Sequence, residues 1–211
     1  MKENFKTYQQ RVQTLFSSEQ ALRATMFYKL VKYEARAMYR AHQVDENGSP
    51  LRVFEHYRGT FLILADEAGF LDFSLLMTGL GHDVLEDTRM SLEEIEFLCG
   101  RSTGSAIGYA SKCPKAGFEM RLLNSNNWRA LVVKIADRTY NLRTLGEDRE
   151  FASKIITETA RLYPAIVKEA YRIIPSEYLH CMKALVSLFA QELEDAIAKY
   201  NLVINTEDVA P

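Results

Sequence analysis

From Ser18 to His42 the chain runs without a single Gly or Pro, and Leu22, Met26, Tyr28, Leu30, Val31 and Met38 are among its apolar positions. The spacing predicts a long helix, ended by the turn-rich DENGSP at 45–50. The rest of the chain has the same character. Gly and Pro number only ten and five in 211 residues, and they cluster between stretches of helical period. Phe5, Tyr8, Val12, Leu15 and Phe16 form an i, i+3, i+4 stripe, which predicts an amphipathic helix over 3–16. Further helices are expected over 54–67, stopped by Gly69, and over the very apolar 72–81. Ser91-Leu92-Glu93-Glu94 is a capping box that opens a short helix ending near Gly100. Others fit 102–111, 117–124, 128–145, 151–171 and 176–200, and the last residues, NTEDVAP, read as a frayed tail. Alternating strand patterns are nearly absent. The β-rich VVKI at 132–135 lies inside a longer 3.6-residue period and reads as buried helix. The expected class is all-α, with nine or ten helices.

Composition narrows the function classes. Hydrophobic residues at 47% and charged residues at 26% exclude global disorder. The balance of 26 Lys+Arg against 28 Asp+Glu leaves a net charge of −2, so there is no general drive toward nucleic acid. No run approaches the roughly 18 apolar residues of a membrane span, and MKENFKTYQQ lacks the apolar core of a secretory signal. Cys99, Cys113 and Cys181 are odd in number and lack CxxC spacing, which argues against a disulfide framework or a cysteine zinc site. The expectation is one cytoplasmic domain over 1–211, with no nucleic-acid or membrane partner; the sequence is silent on oligomeric state.

Two constellations carry possible chemistry. In LLMTGLGHDVLEDT, His82 and Asp83 end an apolar segment, and Glu86 and Asp87 follow within a turn. Adjacent helical side chains diverge by about 100°, but an ion near a helix end can still receive both. Four ionisable groups behind an apolar helix are costly to pack unless a cation or protons compensate. In LVVKIADRTYNLRTL at 131–145, Asp137 interrupts an apolar helix, with Lys134 at i−3 and Asn141 at i+4 on the same face. Taken alone, this is an ion pair on a half-buried helix. His56, between the polar turn and the run FLILA, is by itself a boundary or core histidine.

Together HYRGTFLILADEAG (56–69), LLMTGLGHDVLEDTRMSLEEIEFLCG (75–100) and VVKIADRTYNLRTL (132–145) resemble successive motifs of HD-domain phosphohydrolases. The resemblance is to the hydrolase domain of RelA/SpoT proteins and their small single-domain relatives, including metazoan SpoT-like hydrolases. It covers roughly residues 33–145, with the helices of 151–200 completing or flanking that core, and the joint order H…HD…ED…D is more specific than any one part. It implies an HD-type helical bundle in which His56, His82, Asp83 and Asp137 are the metal ligands. Two imidazoles and two carboxylates suit Mn²⁺ or another divalent cation that keeps water. Glu86 and Asp87 match the pair that orients or deprotonates the attacking water. Asn141, Arg143 and Thr144 match positions lining a nucleotide pocket, and Arg40 falls near a substrate-contacting basic position. Lys134 and Arg138, beside Asp137, are placed to neutralise phosphates. His42 and His180 match no ligand position and read as structural.

The implied reaction is hydrolysis of a nucleotide 3′-diphosphate: water attacks the proximal phosphorus and pyrophosphate leaves, as in guanosine-3′,5′-bis(diphosphate) 3′-pyrophosphohydrolases. The sequence departs from the family at the turn after the first motif, where a basic Arg-Lys pair is replaced by Gln43-Val44-Asp45-Glu46-Asn47-Gly48. A base-stacking cation is thereby exchanged for carboxylates. The substrate therefore stays open to another nucleotide, such as an adenine alarmone, a dNTP or NADPH. A non-catalytic nucleotide-binding regulatory module is the alternative of a different class.

Overall fold

The computed structural model describes residues 5–203, so the segment NTEDVAP lies outside the described residues. Helix α1 (Phe5–Leu15) leads into α2 (Ser18–Glu34), which a second capping box opens: Ser17 accepts from the Gln20 backbone N–H and the Gln20 side chain accepts in return. Strands β1 (Tyr39–Val44) and β2 (Pro50–Arg52) follow, then α3 (Val53–Leu62), which passes into a π-helical turn at Ile63–Glu67. Next come α4 (Phe73–Gly81), the single turn α5 (Val84–Asp87), α6 (Leu92–Cys99), α7 (Arg101–Ala110) and α8 (Phe118–Leu123). Three long helices finish the chain: α9 (Trp128–Arg143), α10 (Arg149–Ile173) and, after a 3₁₀ turn at Ser176–Tyr178, α11 (Leu179–Tyr200). None of the helices is long and apolar enough to cross a membrane, among the described residues.

Helix α9 is the axis of the bundle. Leu131, Val132, Val133, Ile135, Ala136 and Leu142 are buried on several of its faces, as suits a helix surrounded by others. It packs against α3, α4, α7, α10 and α11. Lys134, Asp137 and Arg138 are buried with them, at 2–4% exposure, so each requires a partner inside the bundle. The starts of α9 and α4 are tied together: Asp72 caps α4 at the Leu75 N–H and also accepts from Arg129 at 2.7 and 2.8 Å. Asn127 caps α9 through the Ala130 N–H.

The all-α expectation holds, including helix at 132–135 and the capping box, where Glu94 N–H donates to Ser91 Oγ at 3.2 Å. The long helix to His42 does not. Helix α2 ends at Glu34, and 39–44 form a strand antiparallel to 50–52. DENGSP is thus a hairpin turn rather than a helix stop. Asp45 Oδ1 accepts from the Asn47 and Ser49 N–H groups, and Gly48 adopts φ +74°. The strand is held by tertiary contacts that the local sequence does not announce: Val44 N–H donates to Thr144 O and Gly146 N–H to His42 O. Beyond α9, then, the hairpin is strapped across the junction of α9 and α10.

Candidate metal centre and its surroundings

The cluster is built from three elements. His56 comes from the first turns of α3, His82 and Asp83 from the break between α4 and α5, and Asp137 from the middle of α9. His82 keeps helical angles, whereas Asp83 leaves them at φ −108°, ψ 5°. That break lets two consecutive side chains converge where a continuous helix would splay them. His56 Nε2 lies 3.0 Å from His82 Nε2, 3.2 Å from Asp137 Oδ1 and 3.7 Å from Asp83 Oδ2. His82 Nε2 is 3.4 Å from each of the same two oxygens. All four ligand atoms fall within 4.8 Å of one another, and all four residues are buried. Spacings of this size are those of neighbouring ligands around one ion bound at roughly 2.0–2.2 Å. The donor set fits a divalent metal.

The orientation of the His82 imidazole favours the same reading. His82 Nδ1 lies 2.9 Å from Gly79 O; a carbonyl only accepts, so the proton sits on Nδ1 and the Nε2 lone pair faces the cluster. Burial alone would lower the His82 pKa, but the Asp83 and Asp137 charges outweigh it and raise it to about 9. Burial likewise opposes ionisation of Asp83 and Asp137, yet His82 and Lys134 hold both well below the usual carboxylate range. The field that draws a proton to His82 draws a cation to the same lone pair.

Around these four stand the other sequence-predicted residues. Lys134 Nζ is 2.7 Å from Asp137 Oδ2 and 3.9 Å from Asp83 Oδ1. Asn141 Nδ2 donates to Asp137 Oδ1 at 2.8 Å. Arg40, on β1, pairs with Asp83 Oδ2 and lies 3.7 Å from Asp87 Oδ2. Glu86 accepts the Lys112 backbone N–H at 2.6 Å; burial first, then the Asp83 charge, raises its pKa. Three of the expected phosphate or nucleotide contacts are engaged elsewhere. Arg138 reaches α10, at Tyr163 Oη (3.1 Å) and Glu158 Oε1 (2.7 Å). Arg143 is clamped between Glu67 and Glu192, and the Thr144 hydroxyl donates back to Tyr140 O. Position 143 lies on the opposite side of α9 from 134, 137 and 141, whereas Arg138, one turn beyond Lys134, is drawn toward α10 by Tyr163 and Glu158. His42 pairs with Asp148 at 2.7 Å and stacks on Phe151, and neither it nor His180 belongs to the cluster.

Sequence reasoning missed several neighbours. Tyr57 Oη donates to Asp87 Oδ2 at 2.8 Å, and burial and the Asp87 charge push its pKa up, which keeps it a donor. It is adjacent to His56, and its signal was an aromatic hydroxyl beside a candidate ligand. A cavity of about 380 Å³ adjoins the cluster, with Lys112, Lys115, Phe118, Lys134 and Glu158 in its lining. Neither Lys112 nor Lys115 is ion-paired among the described residues, and the charge of Lys134, followed by burial, lowers the Lys112 pKa. The two lysines of SKCPK, three residues apart, are its sequence signal.

No family model matches the chain. Curated relatives do. The chain is 29% identical over 172 residues to the bifunctional (p)ppGpp synthase/hydrolase SpoT of Escherichia coli (strain K12), a match covering 75% of this chain and 23% of SpoT. It is 37% identical over 117 residues to a probable guanosine-3′,5′-bis(diphosphate) 3′-pyrophosphohydrolase of Synechocystis, covering 50% of this chain and 15% of that protein. It is 28% identical over 128 residues to the human guanosine-3′,5′-bis(diphosphate) 3′-pyrophosphohydrolase MESH1, covering 58% and 70%. The match thus spans less than a quarter of the bacterial relatives and about two thirds of the metazoan one. Among solved structures, one described as a metazoan ortholog of SpoT that hydrolyzes ppGpp superposes with a TM-score of 0.58 at 23% identity, over 83% of this chain and 96% of that one. The resemblance to SpoT-type hydrolases read from the motifs is therefore met again in sequence similarity over half to three quarters of the chain, and the helical fold is shared.

Proposed function

We propose that the chain is a divalent-cation-dependent phosphohydrolase acting on a nucleotide 3′-diphosphate, with guanosine-3′,5′-bis(diphosphate) as the leading substrate and Mn²⁺ as the leading ion. The observation that carries this is the convergence of His56, His82, Asp83 and Asp137 in one buried cluster, with Glu86 and Asp87 on the following turn. The names of the relatives supply the substrate class. A single cytoplasmic domain is the organisation that suits this reading.

In this reading the four ligands hold the ion, which when bound lowers the pKa of water and polarises a phosphoryl oxygen. Glu86, whose pKa is raised by burial and by Asp83, takes a proton from the attacking water. Tyr57 holds one Asp87 oxygen, fixing that carboxylate beside Glu86 to orient the water and pass protons. Lys134 holds Asp137 Oδ2 so that Oδ1 faces the histidines. Water oxygen bonds to the proximal phosphorus as the bond from phosphorus to the 3′-oxygen breaks; the 3′-oxygen is protonated and pyrophosphate departs. Lys112 and Lys115 line the adjoining cavity and accept the phosphate charge, since transfer of this kind demands mainly positioning and neutralisation. Arg40 moves from Asp83 and Asp87 onto a substrate phosphate, and Asn141 borders the nucleotide. Arg138, Arg143 and Thr144 brace the walls.

One observation favours a second reading, a nucleotide-binding regulatory module without turnover: Arg40 occupies Asp83 Oδ2, a proposed ligand atom. A panel of guanine and adenine nucleotides, incubated with Mn²⁺ and read by chromatography, separates the two. Pyrophosphate released from a 3′-diphosphate and abolished by chelator is the expected result. Tight nucleotide binding with no product under any divalent ion would select the regulatory module.

A further inference from the structure

Strand β1 places an unpaired hydrogen-bond acceptor beside the proposed site, and its chemical identity is fixed by a relay of side chains. Asp137 Oδ1 only accepts, so the Asn141 amide must present Nδ2 to it, as found at 2.8 Å. Asn141 therefore turns Oδ1 toward β1, where Gln43 must answer with Nε2, the pairing observed. The remaining atom of Gln43, Oε1, is an acceptor; the carboxylate at the far end of the chain excludes the flipped amide. Gln43 is 6% exposed, and its Oε1 is one of three buried side-chain atoms without a hydrogen-bond partner among the described residues. The other two are Arg40 Nε and His56 Nδ1, so all three belong to β1 and the cluster it covers.

Arg40 and Gln43 are three residues apart, which in a regular strand would put them on opposite faces. His42 resolves this by adopting φ +63°, an unusual angle for a side-chain-bearing residue, within an irregular stretch of the β1–β2 pairing. The result is two polar side chains of one strand turned inward together, with His42 itself turned out to Asp148. Buried acceptors are normally satisfied, so a group held in this way is one that a ligand completes.

We propose that Gln43 is a specificity-determining residue: its Oε1 accepts a hydrogen bond from an O–H or N–H donor on the nucleoside part of the substrate. The inference rests on the hydrolase reading above and adds to it the residue that selects among nucleotides. The donor belongs either to the ribose 2′-hydroxyl, next to the cleaved ester, or to an amino group of the base.

Steady-state hydrolysis of guanosine bis(diphosphate), its 2′-deoxy analogue and its inosine analogue, by wild-type protein and by Gln43→Met and Gln43→Glu, tests it. The wild type is expected to lose about 10- to 100-fold in kcat/KM on whichever analogue lacks the donor, the size of one hydrogen bond to a buried acceptor. Gln43→Met should bring that ratio to within about twofold of unity. Gln43→Glu keeps an acceptor but sets its second oxygen against Asn141 Oδ1, so it should slow every substrate while preserving the ratio, and it also serves as the control should Gln43→Met fold poorly. A wild type that hydrolyses all three equally, or a Gln43→Met that loses the same factor on each, would make Gln43 a mere tie between β1 and α9 and overturn the inference. Absence of hydrolysis of all three by the wild type would be a different failure, that of the hydrolase reading itself.

Discussion

Lys134 Nζ sits 2.7 Å from Asp137 Oδ2 on the same helix, leaving Asp137 Oδ1 to face His56 at 3.2 Å and His82 at 3.4 Å. One carboxylate thus divides its oxygens between a buried ammonium and the imidazole pair. Burial disfavours the Lys134 charge, but Asp137 and Asp83 more than restore it, so its pKa is raised. Lys134→Met removes the counter-charge and leaves Asp137 ionised in the core. Breaking a buried pair in this way costs about 3–5 kcal/mol, or a fall in Tm of roughly 6–20 °C for a chain of this size. Calorimetry with and without Mn²⁺ checks it: added ion should recover part of the loss, because it supplies positive charge to the same carboxylate. An unchanged Tm would mean that Asp137 does not depend on Lys134.

The pKa of His82 fixes the sign of a pH effect. In chelated protein it is raised from 6.5 to about 9, so the extra stability is fully present below pH 6.5 and is lost as pH rises through 9. Across that window the chelated protein should lose about 3 kcal/mol. Denaturant titrations at pH 6 and pH 9 measure it, and His82→Asn should flatten the difference. With Mn²⁺ present the trend should reverse, since the ion competes with the proton for Nε2 and gains affinity as pH rises.

Much of the site is legible in the sequence, and the reasons differ by residue. The face shared by Lys134, Asp137 and Asn141 follows from helical period alone, and the structure keeps all three in contact. The break at Asp83 is where the apolar run meets charge, so the convergence with His82 had a local signal. His56 had none beyond the motif order, because only tertiary packing brings α3 to α9. The strand 39–44 is illegible for a similar reason: nothing in YRAHQV forbids helix, and besides its pairing with 50–52 it is held by bonds to residues about a hundred positions away, at Thr144 and Gly146. Arg138 and Arg143 read from sequence as phosphate and nucleotide-pocket contacts, since a one-dimensional pattern shows the charge but not the Glu158, Glu67 and Glu192 that answer it.

Glu86→Gln isolates proton transfer from metal binding. The side chain is not one of the four clustered donors, so the substitution should leave Mn²⁺ affinity within about threefold of wild type while kcat falls by roughly 10²- to 10⁴-fold. The amide can still meet the Lys112 N–H through its carbonyl oxygen, so the melting temperature should change little. Metal titration and turnover measured on the same preparation decide it. Wild-type turnover in this variant would remove Glu86 from the mechanism.

The ring of Tyr140 lies against the backbone of α3 one turn from His56, and Gly59 is what permits it. A Cβ on residue 59 would stand 2.0 Å from Tyr140 Cε2, well inside contact distance, and Gly59 and Tyr57 are fully or nearly fully buried around it. The His56 and Tyr140 ring centroids are 5.6 Å apart, so any displacement of the tyrosine is felt at a proposed ligand. Gly59→Ala should therefore displace the half-buried Tyr140 ring, destabilise the chain by about 1 kcal/mol or more, and weaken Mn²⁺ binding. Removing the ring restores space: Gly59→Ala combined with Tyr140→Leu should be more stable than Gly59→Ala alone and regain metal affinity. Additive losses in the double variant, measured by calorimetry and metal titration, would show that the two residues do not share this contact.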